Sequence, residues 1–324
     1  MTALLVPLLY ILLGLAGLIW SADRFVTGSA GLARNLGISP LMIGLTIVAL
    51  GTSAPEIIVS INAVLQDSAN IAVGNALGSN LANIGLVLGV TALVAPLPAQ
   101  RHLIWQEGPA LLLVTLAAGL CLSNGLLGRS ESLLLLMMIV PVMFAAIYYK
   151  KSHPDPEIVA EGEQAPELSN TAAILWFVLG LVVMLISARL LVSGAKTVAL
   201  EFGISELVIG LTVVAIGTSL PELAASLTSA LKGHHDIALG NIFGSNMFNL
   251  LAVMPIAGIA TPLNVGMDVF YRDYAAVAIL TVVLISIIAY GLRGKRQQAV
   301  LSRRVGGFLL GLYILYYLIL LPTS

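Results

Sequence analysis

Apolar stretches of about twenty residues recur from one end of this chain to the other, separated by short polar breaks. A stretch of that length matches the thickness of a bilayer core, where only helices and closed barrels satisfy every backbone polar group. Runs of this length along the whole chain specify an all-α polytopic membrane protein rather than a soluble domain with an anchor. Composition agrees: of 324 residues, 59% are hydrophobic and 10% charged, where soluble domains carry about a quarter charged residues. The net charge of −1, with no basic patch, offers nothing to nucleic acid. No obligatory protein partner is evident. Cys121 stands alone, which leaves no disulfide framework and no Cys-based metal site. The N-terminal MTALLVPLLYILLGLAGLIW lacks a positive n-region and a clear small-residue cleavage site, so it is expected to remain as the first span.

Hydropathy places spans near 3–33, 40–65, 70–95, 103–123, 131–149, 172–199, 206–231, 236–260, 273–291 and 305–321, ten in all. The first and sixth are long enough to tilt or project beyond the bilayer. The stretch KKSHPDPEIVAEGEQAPELSN, residues 150–170, is rich in Pro, Glu and Ala and reads as a flexible linker. The expected organisation is a five-helix repeat over 1–149, a cytoplasmic linker over 150–171, and a second five-helix repeat over 172–324.

The halves are copies. Offset by 166 positions and without gaps, GISPLMIGLTIVALGTSAPE (37–56) aligns with GISELVIGLTVVAIGTSLPE (203–222), and IAVGNALGSNLANIGL (71–86) with IALGNIFGSNMFNLLA (237–252). Over positions 37–83, 25 of 47 residues are identical. Five spans per half is an odd number, so the second copy is expected to enter from the opposite side, as an inverted repeat. With the N-terminus outside, cytoplasmic loops would hold Arg34, Arg101, Lys150, Lys151, Lys232, Arg293, Lys295, Arg296, Arg303 and Arg304. Outer loops would hold Arg129, Lys196 and Arg272. Ten against three puts both termini outside.

Each half carries one acid straight after a proline in apolar sequence: Glu56 in GTSAPE and Glu222 in GTSLPE. Pro55 has no N–H for the carbonyl of Gly51, so the helix is expected to break there. A break at membrane depth is tolerated where it faces protein or a polar cavity. It would free carbonyls around Ala49 to Gly51, beside the hydroxyls of Thr52 and Ser53 and the carboxylate of Glu56. Ala215, Thr218, Ser219 and Glu222 repeat that set. The GSN segments of the third and eighth spans, expected to be broken as well as the second and seventh, add Ser79 and Asn83, and Ser245 and Asn249. Each of these pairs is four apart and shares a helical face. Gly78 and Gly244 are expected to admit a neighbouring helix. In an inverted arrangement all four segments would meet near the midplane.

Two carboxylates balance one Ca²⁺ or two monovalent cations. Ca²⁺ takes about 6–8 oxygens of mixed kind, which this set supplies, whereas Mg²⁺ keeps its waters. Soft metals want Cys or His, and His102, His153, His234 and His235 all read as loop residues. An ionised acid at the bilayer centre costs on the order of 2.5–3.5 kcal/mol on insertion scales, so the pair should attract a cation or a proton. The plainer roles are a buried structural acid for Glu56 and Glu222, and interhelical hydrogen bonding for Ser79, Asn83, Ser245 and Asn249. Asn80 and Asn246 share the GSN segments but not one face. Asp23, Arg24 and Arg189 read as interfacial or as supports behind the ion ligands, and Glu107 as interfacial.

At these residues the chain resembles the calcium/cation antiporter superfamily, the group of sodium/calcium exchangers. G-T-S-x-P-E and G-S-N occur in both halves, with 21–88 and 187–254 the best segments. The short central linker is similar to that of bacterial and archaeal members. The resemblance implies a secondary active antiporter in a prokaryotic inner membrane, exchanging Na⁺ for Ca²⁺ by alternating access. Glu56 and Glu222 would be shared by both ions as metal ligands with Thr52 and Thr218. Ser53, Ser79, Ser219, Ser245 and the carbonyls of Ala49 and Ala215 would complete the sites, with no cofactor. The first and sixth helices would slide against the rest. Many relatives, the potassium-dependent ones included, carry Asp at the position of Asn249. The amide here leaves two formal charges and puts K⁺ co-transport in doubt.

A H⁺-coupled antiporter fits the same two acids, and coupling to Na⁺ or to pH separates the readings. A channel is disfavoured by inverted repeats with broken helices. An intramembrane phosphatase would need cationic clamps on phosphate, and positions 37–99 and 203–231 hold no Arg or Lys. An acid protease would need the carboxylates as a proton-sharing pair, whereas the oxygens around them suit a cation. The chain also lacks G-x-x-x-x-G-K-[ST] for ATP.

Overall fold

The computed structural model describes residues 2–152, 167–203, 215–293 and 298–320. Among these residues eight helices are long and apolar enough to cross a membrane, and a ninth span results if the bent pair Pro40–Thr52 and Ala54–Leu65 is one crossing. Of the further span expected over 206–231, residues 206–214 lie outside the described residues. The remainder is the turn Ala215–Thr218 and the helix Leu220–Leu231. Most of the expected linker, 153–166, with His153, also lies outside them, as do Lys295 and Arg296.

Two helices are much longer than a bilayer requires. Thr2–Leu36 has 35 residues and Asn170–Glu201 has 32, about 50 Å each at 1.5 Å per residue. They pack antiparallel along their length, and the contacts are reciprocal. A Cβ on Gly14 would lie 2.7 Å from Leu191 Cβ, and one on Gly180 would lie 2.7 Å from Phe25 Cα. Gly28 meets Ala173 and Phe177, while Gly194 meets Pro7 and Ile11. Every member of the first contact of each pair is 166 positions from its counterpart in the second. Such reciprocity is what a two-fold relation produces. The small residues let the two backbones touch, and close packing is what holds helices together where lipid is as apolar as leucine.

The third and eighth spans run at the centre. Ala69–Val94 and His235–Ala260 are each 26 residues long and are the most buried of the spans. Both are continuous, which corrects the expectation that they are broken. No proline interrupts 69–94 or 235–253, so nothing removes a ladder N–H around the GSN segments. Each helix instead widens into π-helical turns directly beside the motif, at Ala82–Leu88 and Asn249–Val253. A third π segment, Gly44–Val48, precedes Ala49. Such turns are frequent at functional sites.

His235–Phe248 lies hard against Pro40–Thr52. A Cβ on Gly240 would sit 2.5 Å from Leu41 O, and one on Gly244 would sit 2.6 Å from Ala49 Cβ. The close approach expected at Gly244 is therefore present. At Gly78 no described atom lies within 4 Å; the counterpart stretch, 207–215, falls almost wholly outside the described residues. Two short antiparallel ribbons tie loops together, Leu97–Gln100 with Gln298–Leu301 and Leu126–Leu127 with Leu263–Asn264.

His102 lies in the connection just before Leu103–Leu122 and Glu107 in its first turns, and both are buried. They pair at 3.2 Å, His102 Nδ1 to Glu107 Oε2, at the start of Leu103–Leu122. Each supplies the polar partner the other needs away from water. His234 lies just before the eighth span, as expected of a loop residue, whereas His235 is the first residue of its helix.

Candidate functional site

At both half-helix junctions the serine takes nearly the same backbone angles. Ser53 (φ −81°, ψ 8°) and Ser219 (φ −88°, ψ 5°) occupy the bridge region between two helical pieces. Pro55 and Pro221 follow at the start of the next piece, where a missing N–H costs nothing. The first junction bends the chain by 40°. Glu56 and Glu222 then fall in the first turn of a helix, where the backbone dipole favours negative charge. The sequence thus puts each acid at the positive end of a short helix, in the interior of the protein.

The expectation that the break frees the Ala49 carbonyl is corrected in part. Ala49 O still accepts the Ser53 N–H at 3.0 Å, leaving one lone pair. In the second half the Ser219 N–H goes to Ile216 O at 3.1 Å.

The four segments converge. Ser53 of the first half donates to Glu222 Oε1 of the second at 3.0 Å. Ser79 donates to Glu56 Oε1 at 3.3 Å. Thr52 Oγ1 donates across the halves to Asn241 Oδ1 at 3.0 Å, with Ala49 O at 3.3 Å. Asn80 Nδ2 reaches Asn246 O at 3.2 Å. The two carboxylates lie within electrostatic reach of each other. Glu56, Glu222, Thr52, Ser53, Ser79, Asn83, Ser219, Ser245 and Asn249 are all buried, and Thr218 is half-buried. Ala49 opens the short helical turn that leads into the first junction, and Ala215 lies in the turn that leads into the second, described over Ala215–Thr218.

This core is under-bonded. Glu56 Oε2, Glu222 Oε2, Ser219 Oγ, Ser245 Oγ and both polar side-chain atoms of Asn83 and of Asn249 have no hydrogen-bond partner among the described residues. A buried polar atom left so costs about 1–3 kcal/mol, and folds rarely keep several together without a use. Six of these eight atoms are oxygens that can ligate a hard cation. Among the described residues there is no group of three or more His, Cys, Asp or Glu, so a cation here would draw its remaining ligands from neutral oxygens, as Ca²⁺ does.

Four polar residues escaped the sequence reading. Asn75 donates to Glu56 O at 3.2 Å and Ser60 Oγ at 3.4 Å; Asn241 donates to Ser226 Oγ at 2.9 Å and Glu222 O at 3.4 Å. The signal was there. Asn75, Ser79 and Asn83 follow at intervals of four on one helical face, and Ser60 and Ser226 lie four after the acids, in register across the halves.

A family model described as sodium/calcium exchanger protein matches residues 6–148 and 172–321. CaxA of Alkalimonas amylolytica is 52% identical over 262 residues, 80% of this chain and 82% of that protein. The inner membrane protein YrbG of Escherichia coli is 38% identical over 95% of this chain and 96% of its own length. A solved structure of the sodium-calcium exchanger NCX_Mj, soaked with Na⁺ and Ca²⁺, superposes with a TM-score of 0.79 at 32% identity, covering 96% of this chain and 97% of that one. With both halves matched and the helical architecture shared over nearly its whole length, this polytopic membrane chain belongs to the sodium/calcium exchanger family.

Proposed function

We propose that this protein is a secondary active antiporter that exchanges Na⁺ for Ca²⁺ by alternating access. The observation that carries the reading is the convergence of two acids from duplicated positions on one buried, under-bonded cage. Glu56 and Glu222 supply a formal charge of −2. Thr52, Ser53, Ser79, Asn83, Thr218, Ser219, Ser245, Asn249 and the carbonyls of Ala49 and Ala215 supply neutral oxygens or orient them. One Ca²⁺ or two Na⁺ neutralise the acids, so the two cargoes compete for one charge, which is the condition for obligatory exchange.

The architecture is ten spans in two inverted repeats, 1–149 and 172–324, joined by a cytoplasmic linker over 150–171. The antiparallel, reciprocal packing of Thr2–Leu36 on Asn170–Glu201 supports it. The Arg34–Glu167 ion pair at 2.7 Å supports a linker end on the same side as the end of the first helix. The loop charges support termini outside.

The test is radiolabelled Ca²⁺ uptake into proteoliposomes loaded with Na⁺, beside matched vesicles given only a pH gradient. Uptake that requires internal Na⁺ bears the reading out. Uptake driven only by the pH gradient replaces Na⁺ with H⁺ at the same acids. Uptake with neither gradient, running down the Ca²⁺ gradient alone, points to a channel and removes the exchange reading.

A further inference from the structure

We propose that Asn241 is a positioning residue of the cation cage, acting through Thr52 and the Ala49 carbonyl; this rests on reading the cage as a cation site. Asn241 is fully buried. Its amide nitrogen donates to Ser226 Oγ at 2.9 Å and to the main-chain oxygen of Glu222 at 3.4 Å, and its amide oxygen accepts from Thr52 Oγ1 at 3.0 Å. Chemistry fixes that orientation. A main-chain carbonyl only accepts, so the nitrogen must face Glu222 and the oxygen is left to face Thr52.

Thr52 has one proton to give, and its nearest acceptors are Asn241 Oδ1 at 3.0 Å and Ala49 O at 3.3 Å, with the Glu222 carboxylate also facing it. Ala49 O already takes the Ser53 N–H at 3.0 Å. Were the Thr52 proton given to it as well, both lone pairs of that carbonyl would be committed and it could not ligate a cation. Given to Asn241, the proton leaves one lone pair on Ala49 O and both on Thr52 Oγ1 for the cage. Two ligands are thereby made available by one amide that is not itself a ligand. The same side chain joins the junction of the first half to the backbone that carries the acid of the second. Metal sites commonly depend on such outer groups, whose loss costs about 10–100-fold in affinity.

The experiment is calorimetric titration of Ca²⁺ into the purified full chain in detergent, with Na⁺-driven uptake measured in parallel. Asn241→Ala weakens Ca²⁺ binding by about 10-fold, and Thr52→Val by a similar factor. The double variant is no weaker than the weaker single one, because both remove the same arrangement. Losses that multiply to about 100-fold would show two independent roles and overturn the proposal. Asn241→Asp keeps the acceptor for Thr52. It should bind Ca²⁺ more tightly than Asn241→Ala, and adding Thr52→Val should still cost it the full factor. Should Asn241→Ala not fold, that last comparison decides alone: no further loss on adding Thr52→Val overturns the proposal. A wild type that binds Ca²⁺ but takes none up against internal Na⁺ removes the exchange reading and leaves the positioning role intact.

Discussion

Ser53 and Ser219 are the same residue of the same motif, 166 positions apart, and they are bonded differently. Ser53 Oγ holds the opposite acid at 3.0 Å, while Ser219 Oγ has no partner among the described residues. Ser79 bonds Glu56; its counterpart Ser245 bonds nothing described. The Ser53 N–H reaches back four residues to Ala49 O, the Ser219 N–H three to Ile216 O. The two serines and their neighbours match except at Ala54 against Leu220 and at Leu81 and Ala82 against Met247 and Phe248, so local propensity differs little between the copies. The difference comes from how each copy is packed. On the proposed exchange by inverted repeats, two related copies in two environments are what is required, since the halves would trade environments as the site changes sides.

The largest effect tests whether the acids are one site despite this asymmetry. Glu56→Gln and Glu222→Gln should each lower Na⁺-driven Ca²⁺ uptake by about 100-fold or more, since each removes half the charge that balances the cation. Near-normal flux in either variant would mean that only one half carries the ion. Protonation is the milder version of the same change. A cation site of this kind needs its carboxylates ionised, so uptake should fall by about 10-fold between about pH 8 and about pH 5. A flat profile would part the acids from the cargo.

The asymmetry itself is sharpened by the serines. In cation-free detergent, Ser53→Ala loses a hydrogen bond to a buried carboxylate and should cost about 1–2 kcal/mol, a fall of roughly 2–4 °C in melting temperature. Ser219→Ala removes a hydroxyl that bonds nothing described and should leave the melting temperature within about 1 °C. Equal shifts would show that the two halves are alike in solution. With saturating Ca²⁺ the contrast should shrink, because a cation would engage both hydroxyls.

Much of this was legible in the sequence because it is repeated. Length and apolarity picked out the eight long spans among the described residues and the bent ninth, the 166-residue register paired the acids, and Pro55 and Pro221 located the two junctions. The continuity of Ala69–Val94 and His235–Ala260 was not legible, as Gly, Ser and Asn read as breakers, and only burial against other helices keeps them helical. Asn75 and Asn241 were passed over for a related reason: they bond main-chain carbonyls across the cage, and a sequence shows which face a residue lies on but not what stands opposite. The His102–Glu107 pair depends on packing in the same way. The serine contrast could not have been read at all, since it concerns which of two arrangements the chain adopts rather than what the chain is.

One asymmetry is nevertheless written in the sequence, and it yields the smallest effect. Lys232 lies 2.6 Å from Asp23 Oδ1 and donates to Thr27 Oγ1 at 2.7 Å and Asp23 O at 3.2 Å, tying the first long helix to the turn after Leu220–Leu231. Offset by 166, Asp23 becomes Arg189 and Lys232 becomes Gln66, so no mirror ion pair can form at the opposite end. A latch on one side only favours the arrangement that closes it. Partly exposed pairs of this kind are worth about 0.5–1 kcal/mol, which is about two- to fivefold in a two-state population. Lys232→Gln makes the two ends alike in this respect. It should shift the ratio of Ca²⁺ half-saturation on the two faces, measured in right-side-out and inside-out vesicles, by about that factor, while Arg189→Gln leaves the ratio unchanged. Because exposed charges are screened, the difference between wild type and Lys232→Gln should fade as ionic strength rises from about 0.1 M to about 1 M. A ratio that is the same in wild type and Lys232→Gln at low salt would mean that the first helix moves without breaking this contact.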